Sequence, residues 1–164
     1  MVLNATMSES LTVKVTGGPN VNFTLAPNRA SNSGSTTSTI QTTWVLNPGR
    51  LLVTLWAWVP NGGAALTDGV GDNIPASAVT AAASGSGSAG GALNSSVSGG
   101  GGGVPAFITP ASATGVRIGQ VFVLFNTAGS TTTTLTWNIN TTSVPQLAAG
   151  TYTGIVNIQA QAIP

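Results

Sequence analysis

From Leu3 onward every second residue is apolar: Leu3, Ala5 and Met7, then Leu11, Val13 and Val15, with Asn4, Thr6, Ser8, Ser10, Thr12 and Lys14 between them. Glu9 alone interrupts the apolar register. A period of two predicts a strand with one buried face. Run from Leu3 to Val15, such a strand reaches roughly 40 Å at ~3.3 Å per residue, more than a small sandwich uses. The pattern therefore divides the stretch. Residues 1–9 are expected to be an N-terminal extension that pairs outside its own domain, and residues 10–164 a single β-sandwich domain.

Alternation continues down the chain. Val21, Phe23 and Leu25 alternate between the turn signals Pro19-Asn20 and Pro27-Asn28. Ile40, Thr42, Trp44 and Leu46 form one face of a strand that ends at the turn Asn47-Pro48-Gly49-Arg50. Leu51 to Val59 is apolar on both faces, as in a central strand, and 39–59 reads as a hairpin. Val116 to Phe125 is strand-like, with a bulge expected at Gly119. Thr133, Leu135, Trp137 and Ile139 mark another strand, and a last one carries Tyr152, Val156, Ile158, Ala160 and Ala162 on one face. Residues 81–103 are Ala, Ser, Asn and Gly, ending in a run of glycines at 99–103, and read as a flexible loop because so little apolar surface is available to bury. No helical periodicity stands out. The expected fold is all-β, an antiparallel Ig-like β-sandwich of about seven to nine strands with an extended N-terminal strand; a closed barrel is the alternative.

Composition narrows the function. Charged residues are 4% of the 164, namely Glu9, Lys14, Arg29, Arg50, Asp68, Asp72 and Arg117, against roughly 25% in an average soluble protein. A net charge of +1 leaves no basic footprint for nucleic acid or anionic lipid. Hydroxyl and amide side chains replace charge on the polar face, which suits a protein outside the cell or within an assembly. The expected location is extracellular or at the cell surface. No stretch is long and apolar enough to span a bilayer as a helix. Met1-Val2-Leu3 leads into Asn4 without a basic region and apolar core, so the sequence is expected to be a mature form or to be exported by another route.

Candidate chemistry is sparse. With no His and no Cys, most nucleophile–base pairs are unavailable, and the carboxylates are Glu9, Asp68 and Asp72 alone. Enzymatic activity and bound cofactors are not expected. Asp68 and Asp72 lie in a Gly-rich turn and read as turn formers; a calcium site with Asn73 is the weaker reading, since the spacing lacks the terminal Glu of an EF-hand loop. Trp56 and Trp58 point to one side of their strand, as a sugar-stacking platform would, although core packing is the ordinary role of sandwich aromatics. Asn4, Asn22, Asn94 and Asn140 each begin an Asn-x-Ser/Thr acceptor pattern for N-linked sugar.

The most specific motif is Leu147-Ala148-Ala149-Gly150-Thr151-Tyr152-Thr153-Gly154-Ile155-Val156-Asn157-Ile158. Gly150 suits a corner, and Tyr152 a hydroxyl bonded back to the backbone. The motif resembles the closing strand of secreted bacterial Ig-like domains, among them pilins of the chaperone–usher and spore-coat-protein-U type. The resemblance covers these residues and the N-terminal strand pattern; the Cys pair usual in those pilins is absent here. It implies donor-strand assembly. Leu3, Ala5 and Met7 would enter a neighbouring subunit, in an acceptor groove flanked by Tyr152, Val156, Ile158 and Ala160. Glu9 would mark the crossing between subunits. The partners are then identical subunits in a homopolymer, a structural extracellular filament or pilus. The alternatives are a secreted carbohydrate-binding or adhesive module, with surface glycans as partners, and a capsid or surface-layer protein.

Overall fold

The computed structural model describes residues 8–85, 87–96, 112–144 and 146–164. Among them the chain is an all-β antiparallel sandwich. Seven strands of six residues or more carry it: β1 (Ser10–Gly17), β3 (Ser38–Val45), β4 (Leu52–Val59), β7 (Val79–Ser84), β10 (Thr114–Phe122), β11 (Ala128–Ile139) and β12 (Asn157–Ile163). Short pieces fill the rest: β2 (Asn32–Ser33), β5 (Leu66–Thr67), β6 (Asn73–Ile74), β8 (Gly90–Ala92) and β9 (Ser95–Ser96), with one turn of 3-10 helix at Ala76–Ala78. The first sheet has the order β1-β3-β11-β7-β8, with β2 on the end of β11; the second is β12-β4-β10-β9; β5 and β6 make a small separate ribbon.

The core is the space between the sheets. Ile40, Leu135, Trp137 and Ile139 from the first sheet meet Leu55, Ala57, Val59 and Ile118 from the second, all buried. Trp44 and Leu46 close one end against Val53 and Val123. The alternation of β3 explains its placement: Ser38, Ile40, Thr42 and Trp44 are buried while the residues between them are not. In β10 the register slips between Arg117 and Gly119, the bulge anticipated at Gly119, and it turns Ile118 fully inward.

Three expectations are corrected. Residues 39–59 are not a hairpin: β3 pairs with β1 and β11, while β4 pairs with β10 and β12. The Pro48-Gly49 turn is an arch between sheets, so the apolar faces of β3 and β4 pack across the core rather than lying side by side. Residues 81–96 are not simply loop. Ala81 to Ser84 lie in β7, which pairs with β11, and β8 and β9 follow; Ala81 and Leu93 are buried. The remainder of 81–103 lies outside the described residues. Val21, Phe23 and Leu25 do not form a strand, having only an isolated bridge between Phe23 and Gly34.

The registers define two ends. At one lie Ser10 opposite Val45, the arch, and Leu52 opposite both Phe122 and Ile163. At the other lie Gly17 opposite Thr39, Val59 opposite Thr114, and Asn157 opposite Trp58.

Candidate subunit interface

At the second end the sandwich is open. A groove of about 860 Å³ enters the space between the sheets. Its floor is core: Ile40, Val59, Leu93, Leu135, Trp137 and Ile139. One wall is the segment after β1, with half-buried Val21, Phe23 and Leu25; the other is the segment before β12, with half-buried Tyr152 and Val156, and Ile158 at the start of β12. Neither wall is a regular strand. The first carries the Phe23–Gly34 bridge, the second a bridge between Thr153 and Thr67, each donating to the other at 2.9 Å. The volume lies within the range of specific binding sites, and the lining is mainly apolar.

The second wall is built by the C-terminal motif. The Tyr152 hydroxyl donates to the carbonyl oxygen of Ala148 at 2.9 Å, four residues upstream, which folds Gly150 into a corner. Burial pushes the Tyr152 phenol above its usual range, and the Asp72 and Asp68 carboxylates add to that. Asp72 also accepts from the backbone N–H of Ala148 at 3.3 Å. Asp68 is a turn former: its Oδ1 accepts from the N–H groups of Val70, Gly71 and Asp72 at 2.9–3.0 Å, and the Val70 bond foremost holds its carboxyl below the usual range. Among the described residues no group of three metal-ligating side chains occurs.

The free edge beside this wall is β12. It differs from the other three sheet edges of the described residues. β8 and β9 are three and two residues long, and β1 carries Lys14 and a register slip before Gly17. Shortness, lysine and bulges are the usual protections of a sheet edge. β12, with seven residues paired only to β4, has no charge, no proline within it and no slip against β4.

Of the acceptor residues expected from sequence, Tyr152, Val156 and Ile158 meet at one wall, whereas Ala160 lies farther along β12 and packs into the core. Leu3, Ala5, Met7 and Asn4 lie outside the described residues. Val21, Phe23 and Leu25, the facing wall, were visible in the sequence only as alternation. Trp56 is buried beside Ala113 and is not a presented stacking face; Trp58 is half-buried against it. Asn22 and Asn94 are exposed, while the Asn140 side chain accepts from the backbone N–H and hydroxyl of Thr142. No helix of the described residues is long and apolar enough to cross a membrane.

Set against family models, curated proteins and solved structures, the chain matches none.

Proposed function

We propose that the chain is the structural subunit of an extracellular filament, an Ig-like domain that assembles head to tail by β-augmentation. The observation that carries this reading is an open groove floored by core residues and bordered by the β12 edge, which has no charge, proline or register slip and pairs only with β4 among the described residues. The segment Leu3 to Met7 of one copy adds a strand in the groove of the next. Its alternate apolar side chains face the floor at Ile40, Leu135 and Trp137.

The position of the exit favours insertion between copies over folding back. Glu9 is tied to Arg50 at the arch end, while the groove opens at the other end, beyond Gly17. β1 is eight residues long, roughly 25 Å. Met7 is separated from Ser10 by only Ser8 and Glu9, which span about 11 Å at most. Met7 therefore cannot reach its own groove. A contact from one end of a subunit to the opposite end of the next is heterologous and does not close, so it propagates as a fibre. The backbone bonds of the added strand contribute about 0.5–1.5 kcal/mol each, and burial of Leu3 and Met7 about 1.5–3 kcal/mol each, before the entropy of ordering the segment is subtracted.

Deleting residues 1–7 tests the reading. The full chain is expected to form filaments under negative stain and the shortened chain to remain monomeric; filaments of the shortened chain would rule out donor-strand assembly.

A further inference from the structure

The large apolar side chains exposed to solvent are not scattered over the sandwich. Leu51, Phe122, Leu124 and Phe125 cluster at the arch end, with Phe122 74% and Phe125 92% exposed. Backbone bonds join the chain segments that carry them: the Val123 N–H donates to the Leu51 carbonyl at 2.8 Å, and the Leu51 N–H to that of Ile163 at 2.8 Å. Leu51 follows Arg50, the residue that grips Glu9. The patch thus lies at the same end as Glu9 and the start of β1. At the groove end, Val70 at the tip of the β5–β6 turn is 90% exposed and Ile155 on the wall segment 72%, with Val15 of β1 the remaining exposed member, beside the groove. Large apolar side chains gathered at one end of a domain mark an interaction surface rather than ordinary surface composition.

We infer that Leu51, Phe122, Leu124 and Phe125 form the second half of the subunit contact, docking on the groove end of the next copy around Val70 and Ile155. The inference rests on the donor-strand reading and adds a body-to-body surface to it. Its reason is the short leash. Glu9 is fixed to Arg50, and Ser8 alone separates Glu9 from Met7, so a Met7 seated in a neighbouring groove draws the arch end of its own subunit against the rim of that groove. The patch has no other described element over it, and its aromatic members are the residue types that dominate the energetics of such contacts. A contact between two different surfaces at opposite ends of the subunit again gives an open chain of copies.

The test uses the full chain. Light scattering gives the lowest protein concentration at which filaments form, for the natural sequence, for F122S/F125S and for V70S/I155S. Both variants keep the donor segment and the groove floor, and both are expected to raise that concentration about ten-fold or more with the thermal midpoint unmoved. Phe125→Gln, at the most exposed position, is expected to raise it in the same direction and covers the case in which a double variant folds poorly. Variants that assemble at the concentration of the natural sequence overturn the inference while leaving donor-strand assembly standing. A natural sequence that forms no filaments at any concentration removes the donor-strand reading itself, and the inference with it.

Discussion

Arg50 holds Glu9 through two charge-assisted bonds, Nε to Oε1 at 3.0 Å and Nη2 to Oε2 at 3.2 Å, and Asn47 Nδ2 adds a third to Oε2 at 3.2 Å. Both partners belong to the arch between the sheets, so the start of β1 is tied to the turn that joins them. Glu9, the residue that breaks the apolar alternation, is the one whose side chain makes this tie.

The hydrogen bond from Arg50 foremost, with its charge, holds the Glu9 carboxyl below the usual carboxylate range. A carboxyl with a depressed folded value stabilises the folded state above its unfolded value, and that contribution is lost as pH falls through the folded value. The carboxyl resonance of Glu9 is expected to titrate with a midpoint below 4.5, the unperturbed value, and the anchor to release only in more acidic solution. In Arg50→Gln the midpoint is expected to rise toward 4.5. A midpoint unchanged by that substitution would show that the pair does not form in solution.

Tyr152 supports the groove wall through its bond to Ala148. Tyr152→Phe keeps the ring and removes only the hydroxyl, so the urea midpoint is expected to fall with an unchanged slope. The pH dependence has the opposite sign to that of Glu9. A phenol whose folded value is raised stabilises the folded state below its unfolded value, and this is lost as pH rises through the folded value. The natural protein is therefore expected to lose stability above pH 10, the ordinary tyrosine value, and Tyr152→Phe is expected to flatten that decline.

Gly154 shows how the motif's composition follows from packing. A Cβ built there would lie 1.9 Å from the Ala65 carbonyl oxygen, a backbone atom that cannot move aside cheaply. Gly154→Ala is expected to lift residues 153–156 off β5, break the Thr153–Thr67 pair, and cost about 1–3 kcal/mol in urea denaturation. An alanine variant of natural stability would mean that this wall does not rest on β5.

What the sequence made legible follows the same division. The Gly119 bulge and the Tyr152 corner were readable because each depends on residues close in the chain. The arch at 47–51 was not, since alternation says that Ile40 and Trp44 have a buried side but not which sheet they join. β7 and β8 were hidden by their small residues, whose size is a packing requirement: a Cβ on Gly90 would lie 2.4 Å from the Ala81 carbonyl oxygen, so the low complexity there allows close strand approach. The groove was legible only by halves. Val21–Leu25 and Tyr152–Ile158 each looked like an ordinary strand, and only the fold shows them as facing walls with no described strand between them.

Thr42 is an instance of local disagreement with the fold. It is 1% exposed, and its hydroxyl has no hydrogen-bond partner among the described residues. Burying an unpaired hydroxyl costs about 1–3 kcal/mol. Thr42→Val is therefore expected to stabilise the sandwich by about 1 kcal/mol, raising the thermal midpoint by roughly 2–4 °C. A lower midpoint would indicate that the hydroxyl finds a partner in solution.

The separation of exit and groove makes a prediction about length. On the proposed donor-strand reading, a segment joined to β1 through Ser8 and Glu9 alone is too short to return to its own groove, which lies a full strand from the arch. A flexible insert between Met7 and Ser8 removes that obstacle. A Gly/Ser segment of about 20 residues has a typical end-to-end distance of roughly 25 Å, comparable with the length of β1. Its effective concentration at the subunit's own groove would be in the millimolar range, far above that of neighbouring copies in dilute solution. The extended chain is expected to fill its own groove, run as a monomer by light scattering, and melt at a higher temperature than the chain lacking residues 1–7. Filaments of undiminished yield from the extended chain would contradict the geometry, because they would show that the donor segment gains nothing from a groove within reach.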